Sequence, residues 1–169
     1  MGFLTDWGFN RQSWQGARGE YWVVAQALLL VGFALLPIYR PWPELEKAPA
    51  IYGVWAIAAV LGATASIFIS KGLFDLGGNL TPLPHPKDSG QLVQKGVYKI
   101  VRHPLYSGLT LAAFGWAIYI GSLSHLLGAI ALLGFFNAKA TLEEDWLLQK
   151  FPDYASYRQR VKKLIPWLY

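Results

Sequence analysis

The chain has 169 residues, 54% of them hydrophobic and 15% charged, with a mean hydropathy of +0.29, a balance outside the usual range of a soluble domain. The absence of cysteine excludes a disulfide framework, a thiolate metal site and a cysteine nucleophile. The net charge of +5 comes with no basic helix and no aromatic RNA-binding motif, so nucleic acid is not expected as a partner and anionic membrane lipids are.

Residues 1–19 are too long and too aromatic for the n-region of a cleavable signal, and are expected as an interfacial segment. Phe3, Leu4, Trp7 and Trp14 recur at spacings compatible with one helical face, weakened by Gly2, Gly8, Gly16 and Gly19. Apolar runs follow at about Tyr21 to Tyr39 and Ile51 to Ser70, each close to the roughly 20 residues that span a bilayer as a helix. Two shorter runs, about Leu105 to Ile120 and His125 to Ala138, are joined by Gly121 to His125, which predicts a tight helical hairpin that crosses the bilayer or penetrates part way.

The fold class expected is therefore an all-α integral membrane protein forming one domain, 1–169, with about four transmembrane helices and short interfacial helices. Residues 20–70 supply two of the helices, 71–103 a cytoplasmic loop, 104–140 the hairpin and 141–169 a cytoplasmic C-terminal helix. Small residues predict where helices touch: Gly108, Ala112 and Gly115 on one stripe, Ala131, Gly134 and Ala138 on a second, Gly62 and Ser66 on a third. About thirteen of the fifteen Lys and Arg fall on the side shared by the N-terminus, the 71–103 loop and the C-terminus, while Arg40 and Lys47 fall on the other. Both termini are expected in the cytoplasm.

The loop before the hairpin is rich in Gly, Pro and polar residues and carries no GxGxxG, so a Rossmann nucleotide site is unsupported. It ends in YKIVRHPLYSG, Tyr98 to Gly108. Pro104 suits the first turn of a helix and His103 its cap, which sets free N–H groups beside Arg102 and His103 at the membrane edge, an expected anion site. Tyr106 and Ser107 add hydroxyls there, and Gly108 leaves room for a flat ligand. Past the fourth run come Glu143, Glu144 and Asp145, acids too costly for the bilayer centre and so expected at the interface. An antiparallel hairpin brings them to the same face as Arg102 and His103. Two readings follow: a salt bridge from Arg102 to Glu143 or Glu144 with Asp145 solvated, or a ligand carrying both an anionic group and cationic or hydroxyl groups.

The signature Gly-x-Tyr-x-x-x-Arg-His-Pro-x-Tyr, the later Glu143–Glu144 pair, and Tyr154 and Tyr157 before Pro166 resemble the isoprenylcysteine carboxyl methyltransferase family and the related phospholipid N-methyltransferases over Leu92 to Pro166. The resemblance implies an integral membrane enzyme that uses S-adenosylmethionine, held by the C-terminal half, with no metal. His103, Tyr106, Gly108, Glu143 and Glu144 would bind this cofactor, with Tyr98 and Pro104 at its border. Arg102 or Arg158 would neutralise a carboxylate acceptor; His103 or a glutamate would serve an amine as base. Arg158 and Arg160 share a short C-terminal helix with Tyr154 and Tyr157. A lipid-like substrate would enter from the bilayer. The short chain resembles compact prokaryotic members, with its active site on the cytoplasmic face of a bacterial inner membrane. The acceptor stays open between a prenylcysteine-type carboxylate, an isoprenoid acid, a phospholipid amine and a small thiol, and the oligomeric state is unspecified. Two rivals remain: an NADPH-dependent sterol-type reductase and a non-enzymatic membrane scaffold.

Overall fold

A computed structural model of the chain describes residues 16, 18–44 and 49–169. The face expected from Phe3, Leu4, Trp7 and Trp14 lies outside the described residues. Among those residues the architecture is all-helical: α1 Glu20–Ala34, α2 Ile51–Leu76, α3 Pro104–Tyr119, α4 Leu123–Lys150 and α5 Tyr154–Arg160, with 3-10 turns at Gly77–Asn79 and Gly96–Lys99. One isolated parallel bridge, Val101 with Lys162, is the only extended pairing among them.

The helices alternate in direction. At one end, the chain leaving α1 meets the α3–α4 turn: Leu123 N–H donates to Tyr39 O at 2.9 Å, and Arg40 Nε to Ile120 O at 2.9 Å. At the other end gather the start of α1, the 77–103 loop, the end of α4 and α5. In space α2 packs on α3, α3 on α4 and α4 on α1.

Helix bounds depart from the apolar runs for identifiable reasons. α1 stops at Ala34, short of Tyr39, because Pro37 cannot continue a helix and disfavours helical backbone before it. α2 continues past Ser70 to Leu76, and α4 crosses the expected boundary at 140 without a break. Lys, Glu and Leu are good helix formers, and no Pro interrupts α4 before Pro152. The acidic pair therefore sits inside the hairpin's second helix and not at the head of a separate C-terminal one. Ile51–Asn79 and Leu123–Lys150 are each long and apolar enough to cross a membrane; at about 1.5 Å per residue, the 28 residues of α4 reach about 42 Å.

Burial is arranged for a lipid surrounding. Leu28, Leu35, Val60 and Phe74 point outward, whereas Arg102, His103, Lys139 and Glu144 are buried. A bilayer solvates the first group and not the second.

The first small-residue stripe does what its spacing implies. A Cβ on Gly108 would stand 2.6 Å from Ile69 Cγ1 and 3.0 Å from Ala65 O, and one on Gly115 3.3 Å from Ala58 O, so both lie against α2. The second stripe does not: Ala131, Gly134 and Ala138 face outward, and nothing lies within 4 Å of a Cβ at Gly134. Of the third, a Cβ on Gly62 would meet nothing within 4 Å, although its backbone N lies 3.5 Å from where a Cβ on Gly115 would stand, and Ser66 is exposed and donates to Gly62 O at 2.9 Å. Gly108→Val is expected to destabilise the protein by about 1–3 kcal/mol through overpacking. Gly134→Val should change thermal unfolding in detergent by far less, and equal effects would refute this packing assignment.

Candidate active site

The site begins where the loop is steered into α3. Gly96 takes a left-handed φ of 57°, and a Cβ there would fall 1.9 Å from Asp75 Oδ2, so only glycine fits. Asp75 at the end of α2 accepts from Val97 N–H at 2.9 Å and pins the 3-10 turn that precedes the Arg-His-Pro sequence. Arg102 N–H then donates to Lys162 O at 2.8 Å and His103 N–H to Lys163 O at 3.1 Å. Ser107 Oγ donates to Leu164 O at 2.7 Å. The C-terminal segment thus closes over the start of α3.

Behind that closure lies a charged cluster. Arg102 Nε donates to Glu144 Oε1 at 2.8 Å, and Nη1 donates to Arg158 O at 3.1 Å and to Val161 O. His103 lies between two carboxylates, with Nε2 3.1 Å from Glu144 Oε1 and Nδ1 3.6 Å from Glu143 Oε2. Tyr106 stacks on His103 on one side and Phe136 on the other, and its hydroxyl donates to Glu143 Oε2 at 3.0 Å. Tyr157 OH donates to Tyr98 O at 2.6 Å, fixing α5 against the turn before Arg102. Burial pushes the phenols of Tyr98, Tyr154 and Tyr157 above their ordinary range, so all three stay neutral hydroxyls.

In front of the cluster a cavity of about 350 Å³ is lined by Glu143, Tyr98 and Tyr154 together with the apolar Ile69, Leu73 and Leu109. Its volume falls within the range of small-molecule sites. The segment 80–93 forms its roof. That segment is tied down by Lys150 Nζ, which donates to the carbonyls of Lys87 and Asp88, and by Asn79 Oδ1, which accepts from Gln91 N–H at 2.8 Å.

The structure gathers the residues singled out in the sequence but divides their work. His103, Pro104, Tyr98, Tyr106 and Glu143 line the cavity, whereas Glu144, 1% exposed, lies behind it and holds Arg102 and His103. Asp145 is exposed. Gly108 offers no room for a ligand, since α2 fills that space. His103 is the N-cap residue of α3, but its side chain makes no capping hydrogen bond. The anion site expected at the start of α3 is largely spent internally, because the N–H groups of Arg102 and His103 serve C-terminal carbonyls and the guanidinium serves Glu144. Arg158 is half exposed, its Nε 3.6 Å from Glu144 Oε2.

Sequence reasoning passed over Lys139. It is 1% exposed and lines the cavity one helical turn before Glu143. A lysine directly after an apolar run, in a helix-forming sequence that leads on to the acidic pair, was the available signal. Three buried polar atoms lack a hydrogen-bond partner among the described residues: Thr110 Oγ1, Glu144 Oε2 and Tyr154 OH.

An apolar-skinned helical bundle with a buried charged site and a cavity at one end is the class of protein that the fold and site define, with two helices long and apolar enough to cross a membrane. The family model for phospholipid methyltransferase matches residues 54–154. The chain belongs to this family. It is 28% identical over 148 residues to a protein-S-isoprenylcysteine O-methyltransferase of Dictyostelium discoideum, covering 80% of this chain and 60% of that one. It is 40% identical over 161 residues to methanethiol S-methyltransferase 2 of Bradyrhizobium diazoefficiens, covering 90% and 60%. The fold is that of the eukaryotic intramembrane Ras methyltransferase, an isoprenylcysteine carboxyl methyltransferase: TM-score 0.63 at 23% identity over 93% of this chain and 56% of that one. The chain thus spans a little over half the length of these three proteins.

Proposed function

We propose that the protein is an S-adenosylmethionine-dependent membrane methyltransferase whose acceptor is lipid-like, an S-isoprenylcysteine-type carboxylate first among the candidates. The observation that carries this reading is the cavity itself, whose wall combines Glu143 and buried tyrosines with the apolar Ile69, Leu73 and Leu109. A soluble substrate would need no such apolar wall. All four long helices cross the bilayer in this reading, and the cluster faces the cytoplasm, where the excess of Lys and Arg belongs.

The residues present fit the cofactor. Glu143 provides a carboxylate for its amino group, and Tyr154 OH is a buried neutral donor with no hydrogen-bond partner among the described residues, suited to a carboxylate or ribose oxygen. When bound, S-adenosylmethionine supplies an electrophilic methyl group on a sulfonium sulfur. Transfer of that methyl group to an acceptor that is already an ionised carboxylate would require no acid or base from the chain. The chain's own work is positioning and exclusion of water. Glu144 holds His103 and Arg102 in place, Arg102 holds the C-terminal closure, and the 80–93 segment covers one side of the cavity.

Calorimetric titration of the detergent-purified protein with S-adenosylmethionine and with NADPH tests the reading. Saturable binding of the sulfonium compound alone is expected; NADPH binding would indicate a reductase, and neither would indicate a scaffold. Tyr154→Phe sharpens it. Removing a hydroxyl with no hydrogen-bond partner among the described residues should leave the unfolding temperature unchanged, while S-adenosylmethionine affinity falls about 5- to 10-fold, the worth of one hydrogen bond. An unchanged affinity would remove Tyr154 from the cofactor site.

A further inference from the structure

We infer that Lys139 is the counter-ion for an anionic acceptor head, and that it selects carboxylate acceptors against amines. The inference rests on the methyltransferase reading above and names the acceptor chemistry of the same cavity. Three cations line the cavity: Lys87, Arg102 and Lys139. Arg102 is committed to Glu144 and to two backbone carbonyls. Lys87 stands in the roof, its Nζ donating to Gly78 O at 3.0 Å. Arg158, the other cation considered for this task, is half exposed and turned to Glu144.

Lys139 differs from all of these. Its Nζ donates to Gln26 Oε1 at 2.5 Å and to Pro82 O at 3.3 Å and lies 5.4 Å from the centre of the Tyr106 ring, and each of these partners is neutral. Among the described residues no carboxylate stands within ion-pair distance of it. Glu143, one turn further along α4, is already bonded to Tyr106 OH and faces His103. A buried ammonium bonded to neutral oxygens and a ring face, with Glu143 acting on it only from beyond ion-pair distance, has been desolvated without a counter-charge in contact. A cavity ligand with an anionic head supplies one.

Position and polarity agree. Lys139 lies one helical turn before Glu143 on α4 and lines the same cavity, whose wall also carries the apolar Leu109 and Ile69, so an amphipathic acid can set its carboxylate at Nζ with its chain against them. A protonated amine on the same chain would meet the ammonium head-on, a like-charge contact that discriminates by repulsion.

The test uses the full chain in lipid nanodiscs, with S-adenosylmethionine as donor and two acceptors sharing one tail: N-acetyl-S-farnesylcysteine, a carboxylate, and S-farnesylcysteamine, an amine. The wild type should methylate the carboxylate in strong preference. Lys139→Met should raise the KM for the carboxylate at least about 30-fold, change S-adenosylmethionine affinity less than about threefold, and narrow the preference over the amine. Lys139→Arg should recover most of the carboxylate KM. An unchanged carboxylate KM in Lys139→Met, an equal loss of cofactor affinity, or a wild-type preference for the amine overturns the inference and leaves the methyltransferase reading standing. Absence of S-adenosylmethionine binding by the wild type overturns both. Should Lys139→Met fail to fold, the wild-type preference and Lys139→Arg still decide.

Discussion

Glu144→Ala is expected to destabilise the protein by about 3–5 kcal/mol and to abolish methyl transfer, the largest effect of any single substitution. The reason is asymmetry. Glu144 is 1% exposed and, among the described residues, is the only carboxylate paired with Arg102, so its removal leaves a buried guanidinium without a counter-charge. It also frees His103, whose Nε2 lies 3.1 Å from the same oxygen. Chemical unfolding in mixed micelles measures the first loss and S-adenosylmethionine calorimetry the second. The double variant Arg102→Met, Glu144→Leu separates them. Replacing both partners by apolar residues of similar volume should restore most of the stability and none of the activity. Restored activity would mean that the pair is structural only.

The second large effect is expected from Arg102→Lys. The charge is kept, but a single ammonium cannot reproduce a fork that reaches Glu144, Arg158 O and Val161 O together. The segment after α5 is then tied to α3 by fewer bonds. Limited proteolysis should cut near Val161 at least about tenfold faster than in the wild type, and kcat should fall by a similar factor, the counterpart of about 1.4 kcal/mol. Wild-type proteolysis with lowered activity would instead place Arg102 against the substrate, as its position beside the cavity also permits.

Much of this was legible in the sequence because membrane insertion and helix formation are local in their demands. Runs of apolar residues, Pro37, Pro104 and the glycine before Tyr98 act within a few positions, and the helices follow them closely. The pairing of Arg102 with the acidic pair was also accessible, because a hairpin with a short turn must return the end of α4 to the start of α3. The extent of α4 was not. Hydropathy ends at Ala138 while helical hydrogen bonding continues to Lys150, since hydropathy reports solvent and not backbone geometry.

What the residues by themselves determined is therefore the helical membrane class, the common end of the bundle at which charge collects, and the family signature that points to methyl transfer. Only the tertiary structure decided the roles within that signature. It turned Glu143 to the cavity and Glu144 behind it although they are adjacent, because successive residues on a helix point about 100° apart and only the packing of α4 on α3 chooses which looks inward. It filled the space at Gly108 with α2 and turned Gly134 outward, although both stripes have the same small-residue spacing. It also buried Lys139 among neutral partners from α1, α3 and the 80–93 roof, a convergence of distant segments that no spacing along the chain encodes.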